Sequence, residues 1–232
     1  MEDFAYGFVA ALVGIVYPAY AIISAKSTRQ MLTEEPDKKV SVYKSTAVLQ
    51  LILSGLIFLC IAIAGDNITI IGLSFLRDPQ RLLLLLVVCW VGLWLLNKME
   101  IPPHKTDRLI SQFKDVLFIL PANVREYQWA TALSFIAGTL EEIIFRGFLY
   151  WQLHQYLPLV PAMIITNVVF ASAHYVTKIK NVMLTFILGI FFSISYVLSG
   201  TLWIAICCHI LVDLYSTTLA KKLFVKDSFN NP

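Results

Sequence analysis

A chain of 232 residues with 58% hydrophobic and 14% charged side chains carries more apolar surface than a 26.2 kDa globule can hide, since soluble chains run to about 45–50% apolar and about a quarter charged. With a mean hydropathy of +0.74, the composition reads as an all-α, polytopic membrane protein. The net charge of +3 is too small for a nucleic-acid surface, so no nucleic-acid partner is expected and the lipid bilayer is the partner the composition demands.

A helix needs about 20 mainly apolar residues to cross a hydrocarbon layer of about 30 Å. In chain order, such windows fall near 4–25, 45–64, 81–96, 128–153, 159–176, 181–198 and 201–220. They predict a bundle of seven transmembrane helices, or eight if 112–124 dips into the membrane. The third window is short and the fourth long, differences that tilt or local thinning absorbs. The N-terminal MEDFAYGF has Glu2 and Asp3 where a secretory signal has Lys or Arg, so the first apolar segment is expected to be retained. Between the third and fourth windows Pro102 and Pro103 forbid a continuous helix. Residues 110–120, ISQFKDVLFIL, then read as an amphipathic helix lying at the interface and ending before Pro121. The chain is thus expected to divide into 1–127 (N-terminal spans and interfacial segment), 128–220 (the polar-cluster core) and 221–232 (a tail).

Lys and Arg collect in cytoplasmic loops. Lys26, Arg29, Lys38, Lys39 and Lys44 follow the first span; Lys98, Lys105, Arg108, Lys114 and Arg125 follow the third; Lys178 and Lys180 follow the fifth; Lys221, Lys222 and Lys226 form the tail. With seven spans all fifteen fall on one side, against Arg77 and Arg81 opposite and Arg146 within a span. The expectation is an integral membrane protein with its N-terminus outside and its C-terminus cytoplasmic, in the cell membrane if the source is bacterial. Cys60, Cys89, Cys207 and Cys208 all lie in apolar runs, where neither a disulfide framework nor a zinc ribbon is supported and packing is the simple role.

The informative residues are the ionisable ones inside the windows. Glu141, Glu142 and Arg146 in the fourth, with Asp213 in the seventh, would together cost on the order of 10 kcal/mol if ionised and unpaired near the bilayer centre. They must therefore face inward and be paired, hydrated or protonated. Glu142 and Arg146, four apart with acid before base, share a helix face, while Glu141 is turned by about 100°. Either Glu142 alone neutralises the arginine or both glutamates share it. In the fifth window Asn167, Phe170 and His174 line one face, and in the seventh His209 and Asp213 sit one turn apart. A carboxylate at that spacing can fix an imidazole's tautomer, or the two can merely satisfy each other. The second, third and sixth windows are free of charge along their cores. One polar cavity shared by the fourth, fifth and seventh helices accommodates all three sets at once.

EEIIFRG at 141–147, FASAH at 170–174 and HILVD at 209–213 resemble, in order and spacing, the EExxxR, FxxxH and HxxxN/D motifs of the CAAX prenyl endopeptidase and bacteriocin-processing (CPBP, abortive-infection) family, which includes the type II Ras-converting prenyl protease. The similarity spans roughly 130–215, and the N-terminal hundred residues carry no family motif. The resemblance implies an intramembrane, glutamate-dependent endopeptidase of a kind often labelled a metalloendopeptidase, with its site open to the cytoplasmic half of the bilayer. It implies Glu141 as the base that activates a water, His174 as a second holder of that water, His209 and residue 213 at the oxyanion, and Glu142 with Arg146 as a supporting pair. Many relatives have Asn at the last position; an ionised Asp213 cannot donate to an oxyanion, so here it orients His209 or carries a proton.

The residues themselves agree with hydrolysis. No Ser–His or Cys–His constellation suggests itself beside the polar cluster, since Ser172 lies two residues from His174 and faces elsewhere. An activated water remains, with Glu141 as its base. No cofactor is expected; the variant is zinc, for which Glu141, His174 and His209 would supply three ligands and an open fourth position, although no HExxH is present. The substrate would be a peptide or a membrane protein, with or without a lipid modification. The competing readings are a polar-cavity ion or proton transporter or bacteriocin-immunity factor, and a scaffold that keeps the cluster only for helix association.

Overall fold

The computed structural model describes residues 2–74, 78–176 and 179–225, and no strand occurs among them. Ten α-helices follow one another: α1 (Glu2–Ala11), α2 (Tyr17–Glu34), α3 (Lys39–Ala64), α4 (Pro79–Asn97), α5 (Thr106–Phe113), α6 (Val124–Glu141), α7 (Tyr150–His154), α8 (Leu159–Ser172), α9 (Ile179–Ser199) and α10 (Leu202–Phe224). Two π-helical stretches, Leu12–Val16 and Glu142–Leu149, join α1 to α2 and α6 to α7. Arg77, Lys178 and Lys226, used above for orientation, lie outside the described residues, as does most of the 221–232 tail.

Each of the seven apolar windows is largely helical. Among the described residues five helices are long and apolar enough to cross a membrane: Phe4–Glu34, Pro36–Ala64, Pro79–Asn97, Ile179–Ser199 and Leu202–Phe224. The other two windows fall short of that criterion for physical reasons. The helical path from α6 through α7 carries Glu141, Glu142 and Arg146, which dilute its apolarity, and α8 has 14 residues, about 21 Å at about 1.5 Å each. Two expectations are corrected. The amphipathic helix is Thr106–Phe113 rather than 110–120, and residues 114–119 form turns, so 112–124 does not supply an eighth regular span.

Local chemistry accounts for the helix ends. Asp78 Oδ1 accepts from the Gln80 amide at 2.9 Å with Pro79 as first helical residue, and Asn123 Oδ1 accepts from the Glu126 amide at 2.9 Å. Both satisfy N–H groups that a helix start leaves orphaned. Gly65, at φ +74°, closes α3 in the left-handed conformation that costs other residues more.

One buried apolar cluster draws Val13 from the first π stretch, Ile57 and Ile61 from α3, Ile144, Phe145 and Phe148 from the second, Phe170 from α8 and Leu202 from α10. It runs across residue 127, so the N-terminal helices pack into the same body as the helices after them. Hydrocarbon surroundings remove the usual hydrophobic drive between helices, leaving dispersion and close approach. Gly138 serves this end: a Cβ there would lie 2.9 Å from the Ile210 backbone nitrogen of α10.

The helix α4 has no buried residue and presents Leu83, Leu86, Trp90 and Leu93 outward, as lipid contact requires. Its seam with α10 is marked by Cys89 Sγ and Cys207 Sγ, 2.9 Å apart. Oxidation by copper–phenanthroline should therefore remove one hydrogen from each thiol and join Cys89 to Cys207, lowering the free thiols from four to two. Thiol counting and peptide mass mapping check this, and Cys89→Ser should prevent it. Linkage through Cys60 or Cys208 instead would show that α4 docks elsewhere.

The basic segments gather at one end of the bundle. Arg29 lies over Phe118 at 5.1 Å, Lys44 over Trp129 at 4.4 Å and Lys221 over Tyr127 at 4.9 Å, contacts that favour a cation on a ring face. Lys39 is buried and binds both the Leu120 carbonyl (2.9 Å) and Glu126 Oε2 (3.3 Å), while the Tyr43 hydroxyl donates to the Ile119 carbonyl. These bonds hold the turns at 119–121 against α3 and α6.

Candidate active site

The EEIIFRG segment begins where α6 gives way to the π-helical Glu142–Leu149, all eight residues of which are buried. The wider π turn, found often at functional sites, lets one helix present Glu141 and Glu142 to different neighbours. Glu142 Oε1 accepts from Arg146 Nη1 at 2.8 Å, as the four-residue spacing predicts. The guanidinium, 1% exposed, also donates through Nη2 to Asn167 Oδ1 at 2.8 Å and lies 4.0 Å over the Phe170 ring. Asn167 in turn donates to Ser193 Oγ at 2.8 Å. Gly189 of α9 makes room for this layer, because a Cβ there would overlap both Asn167 and Arg146.

His209 is buried, stacked on Phe192 with centroids 4.6 Å apart, and its Nδ1 lies 2.8 Å from Glu142 Oε1. A carboxylate only accepts, so Nδ1 carries the proton and Nε2 faces away. Here the structure corrects an expectation: Glu142, not Asp213, fixes this imidazole. Asp213 Oδ2 stands 3.9 Å from His209 Nε2, at the opposite nitrogen. His174 is fixed likewise, with Nδ1 2.9 Å from the Phe170 carbonyl, a group that can only accept.

Glu141 is turned away from Arg146, towards both imidazoles. Its Oε2 lies 3.9 Å from His174 Nε2 and 3.8 Å from His209 Nε2, separations that one water spans by hydrogen bonds of about 2.7–3.0 Å. Its Oε1 accepts from Gln50 Nε2 of α3 at 2.7 Å, a partner that spacing within α6 could not reveal. Glu141 and His209 are 6% and 5% exposed. Glu141, His174, His209 and Asp213 all line a cavity of about 850 Å³. From them it runs between α2, α3, α6 and α10 to Ile119–Pro121, at the end of the bundle where the basic residues gather.

The structure thus brings Glu141, His174, His209 and Asp213 to one space, with Glu142 and Arg146 directly behind. Ser172 stays within its own helix, donating to the Val169 carbonyl at 2.7 Å. Sequence reasoning missed Gln50, Ser193 and Phe192. A lone amide or hydroxyl in an apolar run was their only signal, and a stacked Phe gives none.

Among the described residues no group of three or more His, Cys, Asp or Glu side chains has the arrangement of a metal site. One oxygen of Glu141 is also committed to Gln50.

Fold and site together define, over the described residues, an all-helical chain with five helices long and apolar enough to cross a membrane, an integral membrane protein that holds paired acids and imidazoles beside one cavity. Residues 123–215 match the family described as Rce1-like, type II CAAX prenyl endopeptidase Rce1-like, and this segment contains Glu141, Glu142, Arg146, His174, His209 and Asp213. The resemblance carried by EEIIFRG, FASAH and HILVD therefore holds. Likeness to that family supports a CAAX-protease-like role. Comparison with curated proteins and with solved structures gives no match.

Proposed function

We propose that the protein is an intramembrane endopeptidase in which Glu141 takes a proton from a water that then attacks a peptide carbonyl. The observation that carries this reading is the placement of Glu141 Oε2 within 3.8–3.9 Å of two imidazole nitrogens from two other helices. Glu141 removes one water proton and the oxygen attacks the carbonyl carbon. The neutral carboxyl then returns the proton to the departing amine, so the base is regenerated. His174, whose Nδ1 is spent on Phe170, offers Nε2 to the water's second hydrogen. His209 meets a carboxylate at each nitrogen, and in its doubly protonated form Nε2–H donates to the oxyanion, with Glu142 as counter-charge on Nδ1. Asp213 lines the cavity on that oxyanion side.

Substrate enters from the basic end. Ser24, Thr28, Thr46, Ser134, Ser216 and Thr217 line that half of the cavity, and hydroxyls suit water and a peptide main chain, while the intervening apolar side chains suit a membrane-embedded or lipid-modified segment. By the preponderance of Lys and Arg this end is cytoplasmic, with α6–α7 and α8 completing seven crossings and the N-terminus outside.

Terminal proteomics on membranes containing the wild type or Glu141→Gln tests the reading. A set of new peptide termini should be present with the first and absent with the second; identical termini in both would overturn it. The proposed mechanism needs no metal. Stripping with 1,10-phenanthroline should therefore leave the Glu141-dependent cleavage unchanged, whereas loss restored by added Zn²⁺ would replace it with a metal mechanism.

A further inference from the structure

We infer that Gln50 is a positioning residue of this site, an amide that holds the Glu141 carboxyl group in place through both of its protonation states. The inference rests on Glu141 acting as the base. Gln50 lies in α3, outside the matched segment 123–215, and is fully buried. Its Nε2 donates to Glu141 Oε1 at 2.7 Å, which leaves Oε2 as the oxygen that faces His174 and His209. The two carboxylate oxygens are thereby distinguished, one spent on orientation and the other free for the water.

The surroundings of this amide carry the second observation. Gln50 Oε1 is buried, and the same amide also meets the Tyr17 hydroxyl, so α2 as well as α3 sets where it sits. A catalytic base alternates between carboxylate and carboxylic acid. An amide can serve both forms without moving: its NH2 donates to Oε1 while Glu141 is a carboxylate, and again when Oε2 has taken the water's proton and Oε1 is the carbonyl oxygen of the acid. A lysine or arginine at this position would favour the ionised form and hold the proton off Glu141. A leucine would serve neither.

The test uses full-length protein in lipid vesicles and the variants Gln50→Met, close in shape but without the amide, and Gln50→Asn, which keeps an amide but withdraws it by one methylene. On the peptide whose termini depend on Glu141, kcat should fall about tenfold in both variants with KM within about twofold, since orientation of the base is lost and substrate contacts are not. A readout independent of substrate is the infrared C=O stretch of the protonated Glu141 carboxyl, assigned by its loss in Glu141→Gln. It should move to higher frequency in Gln50→Met as the hydrogen bond to Gln50 is removed. A band at the wild-type position, or wild-type kcat in both variants, overturns the inference. If Glu141→Gln itself retains cleavage, the base assignment fails instead, and the infrared band still decides whether Gln50 holds the carboxyl.

Discussion

Glu141→Gln should abolish peptide cleavage while leaving the protein inserted and folded. The substitution exchanges one oxygen for an amide nitrogen of similar size, and the remaining oxygen can still accept from Gln50, so the packing around a side chain that is 6% exposed is preserved. What disappears is the proton acceptor beside both imidazoles. Positioned general-base catalysis contributes about 10²–10⁴-fold, so the rate should fall by at least that range towards background. Rates measured in vesicles, together with thermal unfolding of the same preparations, separate lost chemistry from lost fold. Wild-type cleavage by this variant would remove Glu141 from the mechanism.

The largest effect on stability is expected at Arg146. Truncating it to Met strands Glu142, which is 0% exposed, with the His209 imidazole as its remaining polar partner, and also deprives Asn167 Oδ1 of its donor. Breaking a buried ion pair from one side costs about 3–5 kcal/mol, whereas neutralising both sides is often close to harmless. Arg146→Met should therefore lower the unfolding temperature sharply, and adding Glu142→Gln should recover most of the loss, since a glutamine oxygen still accepts from His209 Nδ1. Activity should not recover with it, because His209 then lacks its counter-charge. A single variant as stable as the wild type, or a double variant no better than the single, would show that the pair contributes little to the fold.

The same pair shows why sequence spacing was informative at this point of the chain. Glu142 and Arg146 meet because they lie on one helix, and helical geometry is a local property that survives even the π-helical turn found there. The face shared by Asn167, Phe170 and His174 was legible for the same reason, and in the structure it delivers an acceptor to Arg146, a ring beneath it and an imidazole towards Glu141. The His209–Asp213 spacing misled by the same local logic. The two are one turn apart on α10, yet His209 turns its Nδ1 to Glu142 on another helix, because a carboxylate already held by Arg146 sits at 2.8 Å and Asp213 does not.

Span lengths were less legible than span positions. Apolar windows mark where helices lie, but a window cannot register that α8 stops after 14 residues, or that the interfacial helix ends at Phe113 and gives way to turns. Those endings depend on what the backbone meets beyond the window, such as the bonds from Lys39 and Tyr43 that hold residues 119–121.

By itself the sequence determined the solvent and the reagents. An apolar excess that no globule can bury demands a bilayer, and ionised groups too costly to leave in lipid must turn inward to one another. The tertiary structure alone decided which oxygen faces which nitrogen: that Gln50, ninety-one residues away in the chain, takes one side of Glu141, and that Glu142 rather than Asp213 takes His209. Burial cost is a property of a residue type and is written in composition, whereas partnership between helices is set by packing, which no spacing along a single helix encodes.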